Sequence, residues 1–291
     1  MLRSSKTIRV AALLTLPWVS GCLDHPLKPT ELDGTQIVEG VIQLNVNKDV
    51  DILFVVDNSG SMGEEQAILA NNFGAFIDVL EEERVKANYR LGVTTTDNGN
   101  PWCGTTDPEA GALVYSSCLN RIGAFTNQAG SVNVSQIACE DICDLDNAAL
   151  GITADSNPWL ENNDGTTNLP DGVTTTQAFQ CLGPQGIDGC GFESQLESMN
   201  KSLIRFDTQA DPAFGFTREQ AIFAVVHVTD EADCSYNNSW SSIFETTGNQ
   251  VFWHPDSGNS PTSAICWNVR PVSGSHWGQG DSMTISCSGN S

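Results

Sequence analysis

Residues 51–62 read DILFVVDNSGSM, an apolar run that stops at Asp57 and continues into small, hydroxyl-bearing and flexible residues. The run has the length of a strand but does not alternate between apolar and polar residues, as a half-buried strand does. It therefore predicts a strand buried on both faces, in a parallel sheet covered by helices. Asp57, Ser59 and Ser61 then form the pattern D-x-S-x-S in the loop after this strand. Carboxylate and hydroxyl oxygens around one point suit a hard divalent cation, Mg2+ or Ca2+. The same residue types also cap helices, and for the motif alone that alternative stays open.

The segments that follow the motif predict a helix and a second strand. Residues 63–84 place apolar side chains at three- and four-residue spacings, with Glu64 and Glu65 in the first turn, where negative charge favours the helix dipole. Residues 89–97, YRLGVTTTD, are interpreted as a strand. Strand, helix and strand in this order form a βαβ unit. We therefore expect an α/β fold with a Rossmann-like, open and mostly parallel sheet that carries helices on both faces.

A second apolar run also ends on an aspartate. Residues 221–230 read AIFAVVHVTD and end at Asp230, and an amphipathic helix is predicted shortly before them, over residues 192–206. Ligands of open α/β sheets bind at the carboxyl ends of the strands. Asp57 and Asp230 are therefore expected at the same edge of the sheet.

DILFVVDNSGSM and AVVHVTDE together resemble the motifs of von Willebrand factor type A (vWA) domains, and the stretch DNSGSM resembles the form of the motif found in the bacterial members. The resemblance covers roughly residues 46–97 and 186–235. It implies a Rossmann-like domain with a metal-ion-dependent adhesion site (MIDAS), built from D-x-S-x-S, a threonine of a second loop and an aspartate of a third. Carried over by position, the implied metal ligands are Asp57, Ser59, Ser61 and Asp230.

The second loop departs from the family pattern, because it has no threonine at the expected place. Residues 186–194 read GIDGCGFES, in which Glu193 and Asp188 are the nearest oxygen donors. Glu193 in the threonine's position would add a negative charge to the site and favour Ca2+. The alternative is that Glu193 only stabilises the start of the following helix through the helix dipole. Thr229, which precedes Asp230, is expected to support the metal ligands from outside.

The cysteine pattern is typical of an oxidising compartment. Apart from Cys22, nine cysteines are scattered through loop-like sequence, without the two close pairs that a zinc site needs. Five of them fall within residues 98–188, a long segment rich in Gly, Asn, Asp and Thr, so we expect an ordered, disulfide-stapled insertion near the metal edge. Cys190 lies in the second loop and Cys234 just after Asp230, which makes them a candidate disulfide between the second and third loops.

The N-terminal segment has the pattern of an export signal. Three basic residues precede a short apolar stretch, which ends in Val-Ser-Gly before Cys22. This resembles a lipoprotein signal and implies that residues 1–21 are removed and that Cys22 is lipidated; the alternative is an ordinary secretory signal. Residues 22–45 are then a tether, and residues 46–291 a vWA-like domain with an irregular tail from about residue 235. We expect a bacterial cell-envelope protein, lipid-anchored to a membrane, with the outer membrane favoured.

Charge and residue content limit the function. The formal net charge of −23 argues against nucleic acid as a partner, because phosphate binding needs clustered Lys and Arg. An enzyme would need a nucleophile with a base, yet no G-x-S-x-G turn occurs, and His227, inside a predicted strand, is expected in the core. We therefore predict a non-enzymatic surface lipoprotein that binds Mg2+ or Ca2+ and a protein ligand offering an acidic side chain. The alternatives are an envelope protein with a structural or sensory role, whose metal only stabilises the fold, and, third, a metal-assisted hydrolase.

Overall fold

Residues 47–99 and 101–236 form the main part of the chain that the computed structural model describes. Six further positions are described singly or in pairs: 241, 242, 244, 245, 247 and 261. The signal segment 1–21, the candidate lipidation site Cys22 and the tether 22–45 lie outside the described residues, as does most of the predicted tail.

Five strands, three α-helices and two short helices of other types make up the regular structure of the described residues; the short ones are a 3-10 helix (Cys118–Phe125) and a π-helix (Gln136–Glu140). The strands are β1 (Asp49–Val56), β2 (Asn88–Thr95), β3 (Leu160–Asn163), β4 (Thr166–Thr167) and β5 (Ile222–Val228). The helices are α1 (Gly63–Glu81), α2 (Thr175–Leu182) and α3 (Gln195–Phe206). Within the described part of the chain, none of the helices has the length and apolar character needed to cross a bilayer.

The strands form one sheet in the order β4-β3-β2-β1-β5. β1 runs parallel to both β2 and β5, whereas β2 pairs with β3, and β3 with β4, in antiparallel fashion. The prediction of an α/β fold is confirmed at this level, but the described sheet is mixed. The difference arises because β3 and β4 come from the inserted segment 98–188, which adds an antiparallel hairpin to the edge of the βαβ unit.

Strand β1 lies at the centre of two hydrophobic clusters, one on each face of the sheet. Phe54 belongs to the first cluster, where its ring packs against Phe73 of α1 and Phe179 of α2 at centroid distances of 6.1 and 5.1 Å. Leu53 points to the opposite face and joins a cluster with Phe206 of α3. Burying one such side chain contributes about 1.5–3 kcal/mol. Helices therefore cover both faces of the sheet around β1, as the uninterrupted apolar run predicted.

The observed element bounds differ from the predicted ones where loop hydrogen bonds compete with regular structure. Helix α3 begins at Gln195 rather than at residue 192, because the backbone groups of the two preceding residues hydrogen-bond to other loops. The Ser194 amide donates to the Thr96 carbonyl at 3.1 Å, and the Cys234 amide donates to the Glu193 carbonyl at 2.6 Å. These bonds tie the start of α3 to the ends of the two neighbouring loops.

Strand β5 is less buried than predicted. It pairs with β1 on one side and is the last strand of the described sheet, so its residues are exposed or half-buried along its whole length. The expectation that His227 is a core histidine is wrong, because this side chain is exposed. An apolar run indicates that a strand is suited to burial, but it does not reveal how many neighbours cover that strand.

The inserted segment is ordered and cross-linked. Three disulfides join Cys103 to Cys190, Cys118 to Cys139 and Cys143 to Cys181. In the chain-entropy model each contributes about 3–5 kcal/mol at sequence separations of this order. The predicted pair of Cys190 and Cys234 is corrected: Cys190 bridges Cys103 instead, and so connects the insertion, rather than the third loop, to the loop before α3.

A two-residue turn joins β3 and β4. Asp164 and Gly165 both adopt positive φ, of 49° and 81°, between the paired residues Asn163 and Thr166. Positive φ at both central positions defines a type I′ turn, whose twist matches that of the flanking strands. Asp-Gly is a preferred sequence for this turn, so the hairpin follows from local chemistry.

Candidate functional site

Asp57 occupies the carboxyl end of the central strand and is fully buried. Its backbone amide donates to the carbonyl of Val228, the last residue of β5, at 2.9 Å. Its Oδ1 accepts a hydrogen bond from the Ser59 amide at 2.8 Å, and its Oδ2 accepts one from the Thr229 hydroxyl at 2.6 Å. The predicted support from Thr229 is thus present as a direct bond to the Asp57 carboxylate.

Ser59, Ser61 and Asp230 form a chain of oxygens that leads from Asp57 to the surface. The two serine hydroxyls lie 3.1 Å apart, and the Ser61 hydroxyl donates to Asp230 Oδ1 at 3.3 Å. Ser59 is buried, whereas Ser61 and Asp230 are exposed. The structure therefore brings together all four residues carried over from the resemblance, with Asp57 at the inner end and Asp230 at the outer end.

Glu193 lies deep in the same cluster. Its side chain is fully buried, and its Oε2 accepts a hydrogen bond from the Thr96 hydroxyl. The other oxygen, Oε1, is buried and has no hydrogen-bond partner among the described residues. Burial, and next the negative charge of Asp57, raise the pKa of Glu193 well above its usual value. Among the described residues, no hydrogen bond joins this carboxylate to the backbone of α3, and its interaction with the helix dipole stays an alternative.

The pKa of Asp57 is also raised, mainly by burial, although hydrogen bonds from Thr229 and Ser59 oppose the shift. Asp57, Glu193 and Asp230 form no ion pair with any Lys, Arg or His in the described part of the chain. Two adjacent buried carboxylates without a positive partner are costly when both are ionised. A proton or a cation between them removes that cost.

Gln66 of α1 fixes the geometry of the two loops that carry these groups. Its Nε2 donates to the carbonyls of Asp57 and Gly186, at 2.8 and 2.5 Å. Its Oε1 accepts from the amides of Gln185 and Gly186, at 2.7 and 2.8 Å. All four hydrogen-bonding positions of this buried amide are therefore used to join the first loop to the second.

Sequence reasoning missed two of these residues, Gln66 and Thr96. Gln66 is a polar residue on the otherwise apolar, buried face of α1, and this position was the one sequence feature that could have indicated its role. Thr96 lies just after β2, in the stretch TTTD that was interpreted only as strand. Asp188, the other donor considered for the second loop, does not join Asp57 but lines a separate cavity beside Asn58.

The donor set decides what kind of ion this cluster suits. Among the described residues, no three side chains of the types His, Cys, Asp and Glu lie close enough together to hold a metal ion. Hydroxyl oxygens are the other side-chain donors of this cluster, and Ser59 and Ser61 provide them beside Asp57. Such an all-oxygen set, together with the unpartnered Oε1 of Glu193, fits a hard cation and not zinc or copper.

Comparison with protein-family models, with curated proteins and with solved structures finds no match to this chain. The similarity to vWA domains therefore rests on the motifs themselves. What the described structure adds is the meeting of those motifs at one edge of an α/β sheet.

Proposed function

We propose that this protein is a metal-dependent protein-binding lipoprotein of the bacterial cell envelope. In this proposal Asp57, Ser59, Ser61 and Asp230 hold Mg2+ or Ca2+ in a MIDAS-like site, and an acidic side chain of a partner protein completes the coordination. One observation carries it: the buried, uncompensated carboxylates of Asp57 and Glu193 are continuous with a row of hydroxyl and carboxylate oxygens that reaches the surface.

The proposed fold is a Rossmann-like vWA domain with an insertion. Three observations support it: β1 is parallel to both of its neighbours, helices pack on both faces, and the loops after β1 and β5 meet at one edge. Each antiparallel pair includes a strand of the inserted hairpin, which lies at one end of the described sheet and does not interrupt its parallel part. In such sheets this edge is where ligands bind.

The chemistry of the site explains why an acidic partner is expected. Mg2+ takes six oxygen ligands and Ca2+ six to eight, more than this cluster offers, so water or a partner oxygen must supply the rest. A cation bound there would keep an open, solvent-accessible coordination position beside Ser61 and Asp230, which are exposed, and a carboxylate oxygen of a partner can fill it. Glu193 would be the third carboxylate, after Asp57 and Asp230; it increases the negative charge and favours Ca2+ over Mg2+.

The decisive experiment separates a binding metal from a purely stabilising one. The mature protein is loaded with Mn2+, which takes the same oxygen ligands, and the enhancement of water-proton relaxation is recorded while N-acetyl-aspartate methylamide is added. We expect the carboxylate to displace bound water and to lower the enhancement. The matched neutral probe, N-acetyl-asparagine methylamide, should have no effect.

Two outcomes would contradict the proposal. If Mn2+ binds but the aspartate probe leaves the relaxation unchanged, the metal only stabilises the fold. If Mn2+ binds equally well to the Asp57→Ala variant, the cluster is not the metal site at all.

The membrane anchor is tested separately, because Cys22 lies outside the described residues. In the proposed lipoprotein, acyl chains on Cys22 hold the protein at the membrane. The Cys22→Ser variant should therefore move from the membrane fraction to the soluble fraction of the cell. A variant that still sediments with membranes would remove the lipoprotein assignment but leave the metal site intact.

A further inference from the structure

Gln195, the first residue of α3, contacts the proposed metal site, although it belongs to none of the motifs. Its side chain is 4% exposed, and its Nε2 donates to the Thr229 hydroxyl at 2.9 Å and to the Glu231 carbonyl at 3.2 Å. Because a carbonyl oxygen only accepts hydrogen bonds, the contact with Glu231 determines which end of the amide faces the third loop. Gln195 is therefore a fixed N–H donor toward Thr229.

The Thr229 hydroxyl has all of its hydrogen-bonding positions occupied by described residues. It accepts one bond from Gln195 and a second from the Glu231 amide, at 3.1 Å, and a hydroxyl oxygen has two acceptor positions. Its single hydrogen is left for Asp57 Oδ2, which lies 2.6 Å away. The direction of this bond is therefore determined: Thr229 donates and Asp57 accepts.

This fixed bond has two consequences for a cation bound at Asp57. The carboxylate is held at both oxygens, because Oδ1 accepts a hydrogen bond from the Ser59 amide at 2.8 Å. The Thr229 oxygen has no acceptor position left, so it is not available as a metal ligand. Thr229 therefore orients a ligand of the metal, and the amide of Gln195 keeps it in that role.

The third loop also holds the start of α3 in place. The residue before the helix provides no side-chain cap, and two backbone amides of the first turn bond to the third loop instead. The Leu196 amide donates to Asp233 Oδ1 at 3.0 Å. The Glu197 amide donates to the Ser235 hydroxyl at 2.8 Å. Gln195 is thus anchored to the same loop that its side chain contacts.

The other end of the Gln195 amide argues against a purely stabilising role. Its Oε1 is buried and has no hydrogen-bond partner among the described residues, and a buried amide oxygen without a donor is costly. An apolar side chain of the same size would avoid this cost. We propose that Gln195 is a positioning residue of the metal site, a role that rests on the function proposed above: it keeps the Thr229 hydroxyl directed at Asp57.

The test is a double-mutant cycle on the affinity of the mature protein for Mn2+. Gln195→Met keeps the size of the side chain and removes its hydrogen bonds, and Thr229→Val removes the hydroxyl. Each should weaken Mn2+ binding by about tenfold or more, as is typical for groups that orient a metal ligand. The double variant should bind no more weakly than Thr229→Val alone, because Gln195 acts through that hydroxyl.

Three results of this cycle would overturn the proposal. Unchanged affinity in Gln195→Met would mean that the amide does not position the site. Losses that add up in the double variant would mean that the two residues act separately. Tighter binding by Gln195→Met would mean that Thr229 is itself a ligand, since the substitution frees one of its acceptor positions.

Melting in the presence of a chelator distinguishes positioning from a structural role. Gln195→Met should melt close to the parent, because removal of the unpartnered Oε1 offsets the lost hydrogen bonds. A variant that melts far below the parent would make Gln195 a structural residue and overturn the proposal. The matched control is Gln209→Met, the same substitution at an exposed position beyond the carboxyl end of α3, which should leave Mn2+ affinity unchanged.

The Asp57→Ala variant separates failure of this proposal from failure of the proposed function. If Asp57→Ala loses Mn2+ but Gln195→Met binds it like the parent, the metal site stands and only the role of Gln195 is wrong. If the parent binds no Mn2+, or Asp57→Ala binds it equally well, the proposed metal site and the role of Gln195 are both wrong.

Discussion

Strands β1 and β5 run side by side in the same direction, and each leads into an aspartate, yet the two aspartates have opposite environments. Val56 pairs with Val228 at the ends of the strands, so Asp57 lies level with Thr229, and Asp230 falls one residue further out. Asp57 is buried with both oxygens bonded, whereas Asp230 is exposed and accepts one long bond from Ser61. The position and register of the two strands therefore determine that the Asp57 carboxylate is held in place, whereas the Asp230 carboxylate is free to change its orientation toward a ligand.

The largest expected effect is on metal affinity at the fixed aspartate. Asp57→Ala should weaken Mg2+ or Ca2+ binding by about 100-fold or more, because loss of an outer partner alone typically costs about 10–100-fold. The fold should survive, since the apolar side chains of β1 and α1 are unchanged. Isothermal titration of the parent and the variant measures the difference. Unchanged affinity would reduce the DNSGSM stretch to a helix cap.

The next effect concerns the packing of the two strands. Val55→Ala and Val225→Ala make the same change in the same hydrophobic cluster, but Val55 is fully buried and Val225 only partly. We expect about 2–3 kcal/mol of lost stability for Val55 and about 1 kcal/mol for Val225, measured by urea unfolding with the disulfides intact. Equal losses would mean that β5 is as well covered in solution as β1.

A smaller effect is expected at the exposed aspartate. Asp230→Ala should weaken metal binding by about tenfold, or 1.4 kcal/mol, because Asp230 contacts the cluster only through the Ser61 hydroxyl. The titration described for Asp57 applies here too. A loss as large as that of Asp57→Ala would show that the outer carboxylate contributes as much to metal affinity as the inner one, and that the ranking by burial is wrong.

The smallest expected effect is on the pH dependence of stability without metal, and it distinguishes the buried carboxylate Glu193 from the exposed one, Asp230. Because the pKa of Glu193 is raised in the folded state, the folded protein keeps a proton that the unfolded chain releases, and stability falls as pH rises above about 4.5. Glu193→Gln removes this loss. With a chelator at pH 7.5 the variant should melt about 2–4 °C above the parent, equivalent to about 1 kcal/mol for a chain of this length.

The matched comparison for Glu193→Gln is Asp230→Asn, which removes an exposed carboxylate from the other end of the cluster. It should leave the pH dependence of melting close to that of the parent. The idea fails if Glu193→Gln melts lower than the parent at pH 7.5, or if both variants behave alike. With saturating Ca2+ the parent should instead melt above Glu193→Gln, since only the parent keeps the Glu193 carboxylate beside the metal.

Local chemistry made the central part of the fold predictable. The apolar run of β1 and the spacing of apolar residues in α1 are patterns that lie within one segment each, so each element could be predicted alone. The D-x-S-x-S loop lies between these two elements, and its position was therefore predicted with them. The ends of β5 were also predicted closely, but not its burial. Burial depends on neighbours contributed by distant parts of the chain, as the exposed His227 shows.

What could not be predicted depends on long-range partners. Strands β3 and β4 are short and polar, LENN and TT, and become strands only because Leu160 pairs with Leu91 of an already formed β2. The bridge between Cys103 and Cys190 spans 87 residues, and sequence alone cannot choose among the many pairings of several cysteines. Glu193 was placed by resemblance, and its contact with Thr96 required the fold.

The hairpin of β3 and β4 also affects how the folded protein behaves at high concentration. An exposed sheet edge is a template on which another chain can add a strand, and long, flat edges promote aggregation. Here the outer strand is only two threonines long and is preceded by a tight Asp-Gly turn. In the described sheet, an edge of this length offers few backbone groups on which another chain could add a strand, so we expect the short strand alone to limit self-association at this edge.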